Sequence, residues 1–265
     1  MSILPAFRRS MRESWRSLIG WSIGIAGVMF LYLPLYRSFG ARGQLEEIIS
    51  VLPTELVQTL GYDQIASGPG YAQSTFYGLM GFLLLTIAGA LWGSNAIAGA
   101  EESGRLELDL AHGIGRMQYA AESAASVLAR MLWLGAFSSA LVFALNDPAG
   151  LDIHPPHIIA AGLALTGLTF LSAATGLFVG ALTGRKAWTT AFAAGVAVLG
   201  YAFQAVARQA EDVEWLRHLS PYSWVYHQPP LRDGADVGGL LLTWGIAVAL
   251  ATASALALAR RDLRG

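Results

Sequence analysis

The chain has 265 residues, 17 basic and 18 acidic, with a formal net charge of -1. Only 13% of it is charged, 54% is hydrophobic, and 30 glycines come on top. A soluble protein of this size has too little interior to hide so much apolar surface. The hydrophobicity excludes disorder, the absence of cysteine excludes disulfides and thiolate metal sites, and a single lysine excludes a nucleic-acid binder. The class left is an all-α, polytopic membrane protein read as one domain over 1–265.

In chain order, residues 2–16 come first. Leu4, Phe7, Met11 and Trp15 fall at steps of three and four and make an apolar stripe, while Arg8, Arg9, Arg12 and Arg16 make a basic one. That pattern predicts an interfacial amphipathic helix lying flat on the inner leaflet, arginines toward lipid phosphates. A soluble N-terminal helix is the plainer alternative. The twin arginine Arg8-Arg9 is not read as a targeting signal, because the apolar run behind it is too long for one.

Six windows are then long and apolar enough to cross the hydrocarbon as helices: 17–36, 76–98, 124–145, 157–181, 187–207 and 238–259. An even number puts both termini on one side. That side carries eleven of the basic residues, in 8–16, 105–116, 185–186 and 260–264, against five in the other loops. The positive-inside rule therefore predicts cytoplasmic termini in the cell membrane. Arg130 completes the seventeen from inside the third window. It can snorkel to the interface or pair with an acid inside the bundle. Asn95 and Gln204 can line a cavity or bond between helices.

Glycines recur every four residues at Gly20 and Gly24, Gly89 and Gly93, and Gly176, Gly180 and Gly184. Such faces let helices approach closely, within one subunit or across a dimer seam. The outer stretch 45–60 is amphipathic through Leu45, Ile48, Ile49, Leu52, Leu56 and Leu60. It caps the outer mouth or docks an outside partner. Three chemical motifs fail their context. Gly20-Trp-Ser-Ile-Gly24 lies in an apolar helical window, not on a strand-to-helix elbow. The run from Gly180 to Lys186 lacks the spacing and hydroxyl of a P-loop. His154-Pro-Pro-His157 cannot form a helical ligand pair and reads as a loop turn.

The loop at 99–118 is the longest on the cytoplasmic side. Leu106 and Leu110 can share a helical face while Glu101, Glu102 and Asp109 stay in water. Gly113 and Gly115 stop that helix before the next span. The acids Glu101 and Glu102, then Gly104, Leu106, Glu107, Leu110 and Arg116, resemble the loop of ABC exporter permeases of the drug and polysaccharide export class. One departure is the stretch Ala111-His112-Gly113-Ile114, where that class commonly has a proline. A second resemblance follows the fifth span, in Leu219-Ser220-Pro221-Tyr222-Ser223-Trp224 and Pro230-Leu231-Arg232-Asp233-Gly234.

The resemblance implies a permease subunit that moves a hydrophobic or amphipathic small molecule, such as a drug, an antibiotic or a lipid-like compound. Cytosolic ABC ATPase subunits would carry the ATP and Mg, and this chain would bind no cofactor and no metal. A second permease subunit, identical or related, would complete the unit. Residues 101–116, with Glu101, Glu102, Gly104, Arg105, Leu106, Glu107, Leu110 and Arg116, would be the coupling helix. Residues 208–237, with Ser220, Pro221, Tyr222 and Trp224, would re-enter as the outer gate, although aromatic anchoring at the headgroups by Trp215, Tyr222, Trp224 and Tyr226 reads similarly. Residues 2–16 would be the elbow helix. The rival class is a stand-alone ion-coupled secondary transporter, which needs ionisable residues near the midplane. An intramembrane enzyme would need a paired catalytic set, and none is evident.

Overall fold

In lipid a backbone must satisfy its own hydrogen bonds, so apolar runs of this length become helices. A computed structural model describes residues 4–39, 51, 65–209 and 211–261, and among these there are helices and no strands. The amphipathic outer stretch at 45–60 lies outside the described residues, apart from Val51. The elements are α1 (Pro5–Tyr32), α2 (Leu35–Phe39), α3 (Gly68–Ala72), a π-helix (Gln73–Met80) and α4 (Gly81–Ala96). Then come α5 (Ala98–Glu102), α6 (Arg105–Ala111), α7 (Arg116–Ala149), α8 (Pro155–Thr183) and α9 (Lys186–Ala207). A 3-10 helix (Glu211–Leu219), α10 (Pro221–Tyr226), α11 (Pro230–Asp233) and α12 (Val237–Arg260) finish the chain. Among the described residues, six helical segments are long and apolar enough to cross a membrane. α1 starts and α12 finishes at the same end of the bundle, here the near end; α10 and α11 lie at the far end.

α8 is the hub. It is apolar all round and rich in Ala, Gly, Ser and Thr, and it packs against α4, α7, α9 and α12. Small side chains permit this, since helix association in lipid rests on close backbone approach. A Cβ on Gly93 would lie 2.7 Å from the Ala173 carbonyl oxygen, and one on Gly176 would lie 3.3 Å from Ala193. Those two glycine faces are therefore packing faces within this chain. Gly20 and Gly24 meet nothing within 4 Å among the described residues.

One expectation is corrected at the start of the chain. α1 is a single helix of 28 residues, with no break between a flat N-terminal helix and a first span. At 1.5 Å per residue it is about 42 Å long, against ~30 Å of hydrocarbon. The basic stripe is thus the near-end extension of the first span. The packed face also differs. Ala6 is buried and Ser10 bonds Ser126 of α7 at 3.1 Å, while Leu4 and Trp15 of the apolar stripe are exposed. A membrane protein turns its large apolar side chains to lipid and packs its small ones, the reverse of a soluble amphipathic helix.

Candidate functional site

The near end is built around α5 and α6. Gly104, at a φ of 70°, turns the chain from one into the other, a conformation that favours glycine. Gly113, at 87°, follows α6, and α7 begins at Arg116. α6 is too short to stand alone in water, so its position depends on tertiary contacts. Leu106 is fully buried in the chain's own core and Leu110 is half-buried against it. Asp109 is also buried. On a helix it lies beside Leu106 on the same side of the helix, and its carboxylate takes both terminal nitrogens of the Arg9 guanidinium. One expectation falls here: Asp109 is not in water. Leu106 and Leu110 do share a face, and it is the one turned to the bundle.

Further contacts fix this segment to the bundle. Glu101 forms an ion pair with Arg261, just beyond α12, and Arg261 also donates to the Gly180 carbonyl at 3.4 Å. Arg116 donates to the Arg261 carbonyl at 2.7 Å. Glu102 accepts the Lys186 backbone N–H at 2.8 Å, at the start of α9. Arg105 lies 3.7 Å from Glu13 of α1. The two neighbouring acids thus grip the α8–α9 turn and the end of α12, and the α6 acid grips α1. Glu107 is exposed.

The outward side of α6 carries Leu108, which is 61% exposed. It stands two residues from both Leu106 and Leu110, so it lies on the opposite side of the helix. A seven-residue helix with leucines on both sides has one apolar contact made by its own bundle and one left open. Sequence reading placed Leu106 and Leu110 on one face and did not single out Leu108.

α1 explains the rest of the polar layer. Its first turn has no side-chain cap, and Arg8, Arg9 and Arg12 sit near its positive end, where the helix dipole disfavours them. Glu122 of α7 supplies the missing acceptor and takes the Phe7 backbone N–H at 2.9 Å. Arg9 finds Asp109. Arg8, Arg12 and Arg16 remain exposed, as expected, with Arg16 over the Trp15 ring at 5.4 Å.

Arg130 follows neither expected course. It is 5% exposed, donates to the Ser126 carbonyl at 2.9 Å and to the Ser126 and Ser10 hydroxyls, and lies 5.0 Å over the Trp92 ring. No carboxylate pairs with it among the described residues.

At the far end, Ser220 caps α10 by accepting the Ser223 N–H at 3.0 Å, and its hydroxyl donates to Gly200 of α9 at 2.5 Å. Pro221 opens the helix, where its missing N–H costs nothing. Tyr222 then enters the bundle. Its ring lies 4.9 to 5.3 Å from the rings of Tyr226, Phe82 and Tyr201. Its hydroxyl donates to the Gly78 carbonyl at 2.8 Å, inside the π-helix at the start of the second span. Ser223 donates to Gln204, so that glutamine bonds to α10. The Leu231 N–H reaches Gln73 at 3.4 Å. Trp224 is half-buried and donates to the His218 carbonyl at 2.7 Å, while Trp215 is exposed. Of the four aromatics, Tyr222 and Tyr226 are buried in the bundle, not anchored at the headgroup level. His157 contacts the Leu231 carbonyl at 3.2 Å.

Six apolar helical segments, a pinned short helix at one end and two short helices folded into the bundle at the other make the fold of a multi-pass membrane protein. Residues 8–258 match the family model described as multidrug efflux system permease Rv1217c, C-terminal domain. The match covers nearly the whole chain, and the protein belongs to that family. None of the curated proteins compared with it matches.

Proposed function

We propose that this permease is the membrane unit of an ATP-driven exporter whose motor is a separate cytosolic ATPase. The near end faces the cytoplasm and α6 is the helix the ATPase grips. A second permease unit, identical or related, completes the path. The cargo is a hydrophobic or amphipathic small molecule, in keeping with the multidrug efflux permease named in that description.

One observation carries the coupling reading. Leu108 offers an exposed apolar contact on a helix whose other side is tied by ion pairs to α1 and, through α5, to α12. A partner that pulls on Leu108 therefore pulls on the spans, because those contacts hold α6 to both. Closure of two ATPase subunits around ATP would bring two such helices together and bias the far-end plug to open. Among the described residues the plug of α10 and α11 is held by hydrogen bonds at Gly78, Gly200, Gln204, Gln73 and His157, which opening would break.

Leu108→Asp tests this. It places a charge in the docking groove of the ATPase while leaving the bundle untouched. The expected result is normal insertion and folding with transport lost and ATPase stimulation abolished. Wild-type transport in that variant removes α6 from the coupling path.

A further inference from the structure

Between α8, α9 and the end of α12 lies a groove of about 1080 Å³. That is at the upper end of the ~300–1,000 Å³ typical of small-molecule sites. It is amphipathic along its length. Trp188, Phe192, Phe178 and Leu182 make the apolar wall, and Arg185 stands at its near-end mouth. Trp188 and Phe192 are 53% and 51% exposed, with their rings 6.3 Å apart. Phe192 lies seven residues along the chain from Arg185, a depth of roughly 10 Å at the helical rise.

The charges at the mouth are unevenly spent. Glu101 is committed to Arg261, and Glu102 accepts the Lys186 backbone N–H. Arg185 is exposed and forms no ion pair among the described residues. An unspent cation at the rim of an apolar groove, at the depth of the headgroups, is complementary to one kind of occupant. Basic pockets between spans on the cytoplasmic side take acidic lipid headgroups.

We propose that this groove binds an acidic phospholipid of the inner leaflet, its phosphate on Arg185 and an acyl chain along Trp188, Phe192 and Phe178. The choice of leaflet rests on the orientation proposed above. The Glu101–Arg261 pair, in the segment proposed to couple, also lines the groove. A bound lipid therefore packs against the joint between α5 and α12.

The test uses the full chain in nanodiscs holding either brominated phosphatidylglycerol or brominated phosphatidylcholine in an unbrominated background. Comparing the wild type with Trp188→Phe isolates the quenching of Trp188. The expected result is half-quenching of Trp188 at a roughly fivefold lower mole fraction of the acidic lipid, the effect of about one basic residue at the surface. Arg185→Gln should abolish that preference and Arg185→Lys should keep it. Equal quenching of the wild type by both lipids, or a preference for the acidic lipid that survives in Arg185→Gln, overturns the proposal. So does a Trp188 that neither lipid reaches, which would mean that protein covers the groove. Both leaflets of a nanodisc have one composition, so none of these results bears on the orientation, which cysteine labelling reads separately.

Discussion

The ion pair between Arg9 and Asp109 makes an asymmetric prediction. The Arg9 side chain is 45% exposed and that of Asp109 only 7%. Arg9→Met strands a carboxylate inside the protein, and breaking a buried pair in this way costs about 3–5 kcal/mol. Asp109→Asn leaves a guanidinium that can turn to water, so the loss is one discounted charged hydrogen bond, about 1 kcal/mol. The double variant Arg9→Met with Asp109→Leu replaces the pair by apolar contact and should return to within about 1–2 kcal/mol of the wild type. Thermal unfolding in detergent should therefore rank Arg9→Met as least stable, with Asp109→Asn and the double variant close together above it. Transport should separate the two stable variants from the wild type, since each has lost the tie between α6 and α1. An Arg9→Met protein no less stable than Asp109→Asn would refute the burial argument.

Three further substitutions probe the rest of the bundle. Tyr222→Phe keeps the ring in its aromatic cluster but removes the bond to Gly78; it should cost about 1 kcal/mol and raise passive leak through the isolated permease in liposomes, whereas an unchanged leak would separate Tyr222 from the gate. Gly93→Val forces a side chain against the Ala173 carbonyl and should cost about 1–3 kcal/mol by overpacking, while Gly24→Ala, with open space around it, should leave the melting temperature where it is. Arg130→Met removes a buried cation that no carboxylate balances and should match or raise the melting temperature; Arg130→Ala should lower it, through the lost packing on Trp92.

Much of this was legible in the residues because lipid makes simple demands. Length and apolarity alone predict the six spans, and the burial of α8 follows from a segment that is apolar on every side. Gly113 and the Ser220-Pro221 pair mark where helices stop and start for reasons local to the backbone. What was not legible is which polar group meets which. Asp109 and Arg9 are 100 residues apart, and nothing local says that the acid of α6 turns inward. A signal was present: Asp109 falls beside Leu106 on the inward side of the helix, and Leu108 falls opposite. The amphipathic pattern of 2–16 misled because it carries two meanings. In water an apolar stripe seeks the core, whereas in a bilayer Leu4 and Trp15 can stay outside while Ala6 and Ser10 pack. The π-helix under Tyr222 has no sequence signature that helical periodicity would reveal.

The central claim is that α6 is the cytosolic handle of a machine with its motor elsewhere. The chain has no cysteine, so a single cysteine at Leu108 reports alone. A membrane-impermeant maleimide should leave that cysteine unmodified in intact cells and label it in inverted vesicles, and the co-expressed ATPase should protect it. Labelling from outside intact cells, or full labelling in inverted vesicles with the ATPase bound, would contradict the account.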